Sequence, residues 1–120
     1  MRVIAVIPAY NEETTLAAVL DKTAPFVDGI IVVNDGSTDR TGEIAKSRGP
    51  TVVTHVINRG LGAAIGTGFA AATHLKADVA ITLDADGQHD PSEIPLFVEA
   101  IESGADMVIG SRMLGGTGMP

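Results

Sequence analysis

Short aliphatic runs alternate with segments of helical periodicity along the whole chain. The runs are about Val3 to Ile7, Gly29 to Val33, Val52 to Ile57, Val79 to Leu83 and Asp106 to Ile109. Between them apolar residues recur at helical spacing, as in Ile94, Phe97, Val98 and Ile101. Strands that alternate with helices are typical of βαβ units around a parallel sheet. We therefore predict an α/β fold, with five strands in a mostly parallel sheet and helices on both faces.

The composition argues against several classes of protein. With 120 residues there is room for one domain, which we assign to residues 1–113, followed by a flexible Gly-rich segment, 114–120. Eight Lys and Arg and a formal net charge of -7 argue against general affinity for nucleic acid or for an anionic membrane surface. The absence of cysteine fits a reducing, cytoplasmic compartment. No apolar run is long enough for a signal peptide or a membrane span.

The most informative local stretch joins the fourth predicted strand to the fourth helix. Asp84 and Asp86 follow the aliphatic run at positions i and i+2, so their side chains leave an extended chain on the same face. Gly87 then permits a sharp turn, and Asp90-Pro91-Ser92-Glu93 has the pattern of a helix start. Carboxylate and amide oxygens suit a hard divalent cation, which makes Asp84, Asp86 and Gln88 candidate metal ligands. The alternative is that these residues only form a turn.

Polar residues also follow the first and second predicted strands, in the segments Pro8 to Glu12 and Asn34 to Asp39. In a parallel sheet the carboxyl ends of the strands meet at one edge, where ligands bind in open α/β folds. Asp35 could accept hydrogen bonds from a base or ribose there, and Tyr10 offers an aromatic face. The alternatives are an Asx-turn for Asp35 and simple packing for Tyr10.

Several local signals make further predictions. Asn11 is expected to cap the first helix, with Glu12 and Glu13 in its first turn, and the second helix is expected to begin near Thr38. His55, in the third predicted strand, is interpreted as structural. Three glycines on or beside the third helix indicate close backbone packing or a ligand near the helix start: Gly62, Gly66 and Gly68.

Five motifs in this order resemble the inverting glycosyltransferases of the GT-A fold, glycosyltransferase family 2. They are Pro8-Ala9-Tyr10-Asn11-Glu12, Val33-Asn34-Asp35-Gly36-Ser37-Thr38-Asp39, Asn58-Arg59-Gly60-Leu61-Gly62, Asp84-Ala85-Asp86-Gly87-Gln88-His89-Asp90-Pro91 and Gly110-Ser111-Arg112. Within the family the likeness is greatest to the dolichyl-phosphate mannose synthases and their bacterial polyprenyl-phosphate relatives. It extends over the whole chain, so the expected fold is a GT-A, Rossmann-like sheet that stops before the acceptor-binding part.

The resemblance implies a function and a set of site residues. The implied reaction transfers a hexose, with inversion, from a nucleoside-diphosphate sugar of the GDP-mannose or UDP-glucose type to a polyprenyl or dolichyl phosphate. The base and ribose would be held by Pro8, Tyr10, Glu12 and Asp35. Asp84, of the Asp-x-Asp motif, would contact the nucleotide or the metal, while Asp86 and Gln88 would ligate Mg²⁺ or Mn²⁺. Arg112 matches an arginine that lies near the phosphates or the acceptor.

Other functions remain open at this point. The family's catalytic domain normally continues past residue 120 and in many members supplies the base there, so no catalytic residue is assigned. The chain could be a nucleotide-sugar-binding module without activity of its own. The glycines of 62–68 raise an NAD-dependent short-chain dehydrogenase, although such a loop should follow the first strand. A nucleotidyltransferase can share a similar half-fold. The full-length protein could associate peripherally with the cytoplasmic face of a membrane, and an exposed apolar surface could cause self-association.

Overall fold

The computed structural model describes residues 1–87 and 90–102, and four parallel strands form the sheet of this part. The strands are β1 (Val3–Ala9), β2 (Gly29–Asp35), β3 (Thr51–His55) and β4 (Val79–Thr82). Their order is β3-β2-β1-β4, and every neighbouring pair is parallel. The predicted parallel α/β sheet is confirmed. The predicted fifth strand and the predicted boundary at 113 lie outside the described residues.

In the part of the chain that the structure describes, four helices cover the sheet, and they lie on both of its faces as predicted. They are α1 (Leu16–Thr23), α2 (Thr41–Ser47), α3 (Leu61–His74) and α4 (Ile94–Glu102), with short 3-10 helices at Ala24–Phe26 and Pro91–Glu93. One core contains alternate residues of β1 and β4 together with side chains of α1, α2 and α4. The other core contains the opposite residues of β1 and β2 and the small residues of α3. This division follows from the two-residue period of a strand. Within the described residues, no helix is long and apolar enough to cross a membrane.

The start of the first helix differs from the prediction. Helix α1 begins at Leu16, and Asn11 has a left-handed backbone with φ of 53°. The Asn11 side chain accepts a hydrogen bond from the Thr38 backbone N–H, at 2.8 Å, instead of capping a helix. The second helix likewise begins at Thr41 and not near Thr38. In both places tertiary hydrogen bonds between loops prevail over a local capping signal.

The predictions for the glycines of α3 and for the end of β3 agree with the structure only in part. Gly68 confirms the predicted close packing, because a Cβ there would overlap Val6 Cγ1. At Gly62 and Gly66, however, an added Cβ would meet nothing within 4 Å. Strand β3 ends at His55, two residues before the predicted end, and Val56 and Ile57 are exposed.

Candidate functional site

A cavity of about 500 Å³ lies at the carboxyl ends of the strands. It is formed by the carboxyl ends of β1 and β2, by the chain that follows β1, β3 and β4, and by the first turn of α3. The lining residues are Pro8, Ala9, Tyr10, Glu12, Asp35, Asn58, Gly60, Leu61, Ala64, Asp84, Ala85 and Asp86. Segments far apart in sequence therefore meet at one edge of the sheet, as the parallel topology requires.

Asp35, the last residue of β2, is buried and fully engaged by hydrogen bonds from the protein. Its Oδ1 accepts from His55 Nδ1 at 2.7 Å and from the Arg59 backbone N–H at 3.0 Å. Its Oδ2 accepts from Asn58 Nδ2 at 3.1 Å and from the Gly60 backbone N–H at 2.9 Å. A carboxylate offers about four lone-pair positions, and all of them are filled here. A base or ribose that binds Asp35 has to displace one of these donors, and Asn58 is the exposed residue that donates through its side chain.

These contacts decide the protonation of Asp35. Burial raises the pKa of this carboxyl group, but the hydrogen bonds from His55, Arg59 and Gly60 outweigh burial and hold the pKa below its ordinary value of 3.8. Asp35 is therefore charged at neutral pH. Because Gly60 directly precedes α3, the negative charge also lies at the N-terminus of a helix of 14 residues, where the helix dipole favours an anion.

His55 connects Asp35 to the third helix. The imidazole is only 8% exposed, and its Nε2 lies 2.9 Å from the hydroxyl oxygen of Thr67 in α3. The strand pairing places His55 directly opposite Asp35, so the contact is a consequence of the register of β2 and β3. An expected structural histidine thus contacts the polar wall of the cavity through Asp35.

Two loops beside the cavity are held together by reciprocal hydrogen bonds. The first loop, residues 11–13, follows β1, and the second, residues 37–41, follows β2. Backbone N–H groups of Asn11, Glu12 and Glu13 donate to side chains of Ser37, Thr41 and Asp39, respectively. In return, the backbone N–H groups of Thr38 and Arg40 donate to side chains of Asn11 and Glu13. We call this pair of segments the paired loops. Glu12 reaches the cavity from this unit.

Asp84 and Asp86 lie in the same cavity as Asp35 and Glu12. The segment is fixed by Thr15, whose hydroxyl donates to the carbonyl oxygen of Ala85 at 2.7 Å. In the part of the chain that the structure describes, no group of three His, Cys, Asp or Glu side chains is placed to hold a metal ion. Two carboxylates beside a diphosphate are nevertheless a sufficient protein contribution for Mg²⁺, which usually takes its other ligands from phosphates and water. The residues present therefore fit such a cation.

The cavity is strongly acidic. Of the described residues that line it, four carry carboxylates and none is Lys or Arg. Arg59, in the adjoining loop, is exposed. The described carboxylates therefore repel an anionic ligand, and a cation bound between them would offset that repulsion.

The structure brings together six of the residues predicted from sequence: Pro8, Tyr10, Glu12, Asp35, Asp84 and Asp86. Gln88 and Arg112 lie outside the described residues. Sequence reasoning did not identify His55, Asn58 or Gly60 as neighbours of Asp35. The sequence did contain a signal for His55. Asp35 ends one strand and His55 ends the strand that pairs with it, so in this register the two residues lie side by side.

Comparison with known proteins shows to which family the chain is similar. A family model described as Glycosyl transferase family 2 matches residues 4–119. The undecaprenyl-phosphate mannosyltransferase of Micrococcus luteus is 40% identical over 97% of this chain and 50% of its own length. The dolichol-phosphate mannosyltransferase of Pyrococcus furiosus is 39% identical over 97% of this chain and 34% of its own length. The chain thus spans half or less of these relatives.

Solved structures agree with this result. Glucosyl-3-phosphoglycerate synthase from Mycobacterium tuberculosis, in complex with Mn²⁺, UDP-glucose and phosphoglyceric acid, superposes with a TM-score of 0.73. It is 30% identical, and the match covers 86% of this chain and 40% of that one. The parallel sheet described above is that of the GT-A glycosyltransferases. With a family model that matches nearly its whole length and relatives at about 40% identity, the chain belongs to glycosyltransferase family 2.

Proposed function

We propose that the chain forms the donor-binding part of an enzyme that transfers a hexose from a nucleoside-diphosphate sugar to a polyprenyl or dolichyl phosphate. The proposed transfer inverts the anomeric centre and requires Mg²⁺ or Mn²⁺. The sequence relatives, named as polyprenyl-phosphate and dolichol-phosphate mannosyltransferases, support the acceptor class. The solved complexes with Mn²⁺ and UDP-glucose support the donor class and the metal.

The acidic cavity is the observation that carries the proposal. It combines an exposed aromatic ring, Tyr10, with the carboxylates of Asp84 and Asp86 at the carboxyl edge of the sheet. A nucleoside diphosphate has a flat base, a ribose and two charged phosphates. Tyr10 and Pro8 can pack against the base, and Glu12 can accept hydrogen bonds from ribose hydroxyls. The diphosphate then reaches Asp84 and Asp86, which repel it unless a cation lies between them.

Each side chain has a definite task in the proposed mechanism. Asp84 and Asp86 would hold the cation, and as a Lewis acid it would stabilise the charge that develops on the leaving diphosphate. Asp35 keeps the loop 58–60 in place, and this loop and Tyr10 confine the donor. The oxygen of a lipid phosphate is already anionic, so the acceptor needs no strong general base. A lipid acceptor also places the reaction at a membrane surface, which we assign to the cytoplasmic face.

A different acceptor is the second candidate. Glucosyl-3-phosphoglycerate synthase was solved with phosphoglyceric acid, a small soluble phosphate. That protein is 30% identical to this chain, whereas the polyprenyl-phosphate relatives are about 40% identical. We therefore favour the lipid phosphate and keep the small phosphorylated acid as the alternative. Donor binding without transfer remains the third outcome for a chain of this length.

Thermal unfolding with added ligands tests the proposal. The ligands are UDP-glucose, GDP-mannose and NAD, each with and without Mn²⁺, added to the parent, Asp86→Ala and Glu99→Ala. A ligand at about a hundred times its dissociation constant stabilises the folded state by roughly 2.7 kcal/mol. We expect one sugar nucleotide to stabilise the parent only with Mn²⁺, and to have no such effect on Asp86→Ala. Glu99, exposed on α4 and absent from the cavity lining, is the matched control and should keep the full shift.

Transfer is then assayed with the donor so identified. Radiolabelled sugar should appear on a short polyprenyl phosphate and not on phosphoglyceric acid, and NMR of the product should show the inverted anomer. Stabilisation without transfer to either acceptor would make the chain a binding module. Stabilisation by NAD alone, or by neither sugar nucleotide in a folded sample, would refute the proposed function.

A further inference from the structure

We propose that His55 is a positioning residue of the donor site: through Asp35 it fixes the loop Asn58-Arg59-Gly60, which forms one wall of the cavity. The inference rests on the proposed function, because it assigns His55 a role in holding the nucleotide. His55 does not line the cavity, so it acts through the residues that do. The ligand class is a nucleoside diphosphate, recognised by the wall that His55 supports.

His55 is buried and hydrogen-bonded through both ring nitrogens. It is the last residue of β3, and its ring lies between Asp35 of β2 and Thr67 of α3. Nδ1 must donate to Asp35, because a carboxylate can only accept. Nε2 then meets Thr67, whose hydroxyl can either donate to a neutral ring or accept from a protonated one. The chain Asp35-His55-Thr67 is thus complete in either protonation state.

Asp35 links His55 to the loop Asn58-Arg59-Gly60. Its two oxygens receive the backbone N–H groups of Arg59 and Gly60 and the side chain of Asn58. Asn58 Nδ2 also reaches the Asp35 carbonyl oxygen at 3.2 Å. Gly60 has φ of 96°, a conformation that the loop must hold for α3 to begin at Leu61. If the carboxylate rotates, these three donors lose their common acceptor, and the cavity wall moves.

Two substitutions separate the two contacts of the imidazole. In His55→Asn the amide nitrogen can take the place of Nδ1, so the hydrogen bond to Asp35 is kept and the one to Thr67 is lost. In His55→Gln the longer side chain can reach Thr67, so the hydrogen bond to Asp35 is lost. Thr67→Val removes the helix contact alone. The exposed His74, near the end of α3, provides the control variant His74→Gln.

Binding of UDP and GDP, each with Mn²⁺, is measured by calorimetry for these proteins. We expect His55→Gln to bind the preferred nucleotide about tenfold or more weakly, as loss of a hydrogen bond to a charged group implies. His55→Asn, Thr67→Val and His74→Gln should stay within about threefold of the parent. Hydrogen exchange without nucleotide supplies a second readout. In His55→Gln the amides of Arg59 and Gly60 should exchange faster, while those of Val6 and Ile7 in β1 should not, whereas general destabilisation would accelerate them all.

The possible outcomes distinguish a failure of the inference from a failure of the proposed function. Equal affinity of the parent and His55→Gln, or an equal loss in His55→Asn, would overturn the inference and leave the proposed function standing. Failure of the parent to bind either nucleotide would refute the proposed function and the inference with it. Should His55→Gln not fold, His55→Asn decides: parent-like affinity and parent-like protection of Arg59 and Gly60 support the inference, and loss of either overturns it.

Discussion

Two glycines in one helix should respond to alanine with opposite signs. Gly66 and Gly68 both lie inside α3, where alanine is intrinsically preferred by about 1 kcal/mol. At Gly66 an added Cβ meets open space, so this preference should appear undiminished. At Gly68 the Cβ would overlap Val6 Cγ1 and lie 3.3 Å from Val33 Cγ2. Both valines are fully buried in the two central strands and have no space to retreat.

The magnitudes follow from these surroundings. Overpacking a core costs about 1–3 kcal/mol, and the severe overlap with Val6 Cγ1 places Gly68→Ala in the upper part of that range, at about 2–3 kcal/mol, from which a helix-propensity gain of about 1 kcal/mol must be subtracted. We expect Gly68→Ala to lower the free energy of unfolding by about 1–2 kcal/mol and Gly66→Ala to raise it by about 0.5–1 kcal/mol. At roughly 4 °C per kcal/mol, the two melting temperatures should differ by roughly 6–12 °C, with the parent between them.

Urea denaturation and calorimetry of the parent and both variants measure this difference. The combination Val6→Ala with Gly68→Ala adds a double-mutant cycle: removal of the overlapping methyl groups should make the double variant more stable than the sum of the single effects. Equal stabilisation by Gly66→Ala and Gly68→Ala would refute the reasoning, because it would mean that α3 does not lie against Val6 as described.

Two further predictions concern the site. Gly36→Ala should cost about 3 kcal/mol in urea denaturation, because its Cβ would overlap the backbone of Ile57 and Asn58 at a φ of 74°. Gly49→Ala, with φ of 92° in open space, should cost only about 1 kcal/mol, and equal costs would contradict the close contact of the loops. Asp35 stabilises the fold while it is charged, and its folded-state pKa lies below 3.8, so its contribution is present above that pH and is lost as pH falls through the folded pKa. The stability advantage of the parent over Asp35→Asn should therefore shrink as the pH falls below about 4, whereas a difference that does not change there would contradict the assigned charge.

The strands and their parallel arrangement could be predicted because they depend on a local property. Strands β1, β2 and β4 are runs of mainly aliphatic residues that are mostly buried, and such runs are visible without any knowledge of tertiary contacts. The end of β3 could not be predicted in this way. Val56 and Ile57 continue the aliphatic pattern, but β2 ends at Asp35, opposite His55, and offers no further partner.

The site was predictable to the extent that it follows from topology. Asp84, Asp86 and Asp35 converge because the strands before them are parallel, and that conclusion needed only the order of elements. The partners of Asp35 depended on register. The start of α1 depended on hydrogen bonds between loops about 27 residues apart, and the residues at 11–13 give the same local signal whether or not those bonds form.

The hydrogen bonds between the paired loops mean that neither segment can be replaced alone. Because each segment supplies side-chain acceptors for the backbone of the other, neither has a complete set of partners alone. A graft of one segment from a relative with another donor would bring foreign side chains to a native backbone and leave N–H groups without acceptors. Exchange of donor preference between family members should therefore succeed when residues 11–13 and 37–41 are transplanted together. Transplanting either segment alone should fail, because each depends on the side chains of the other.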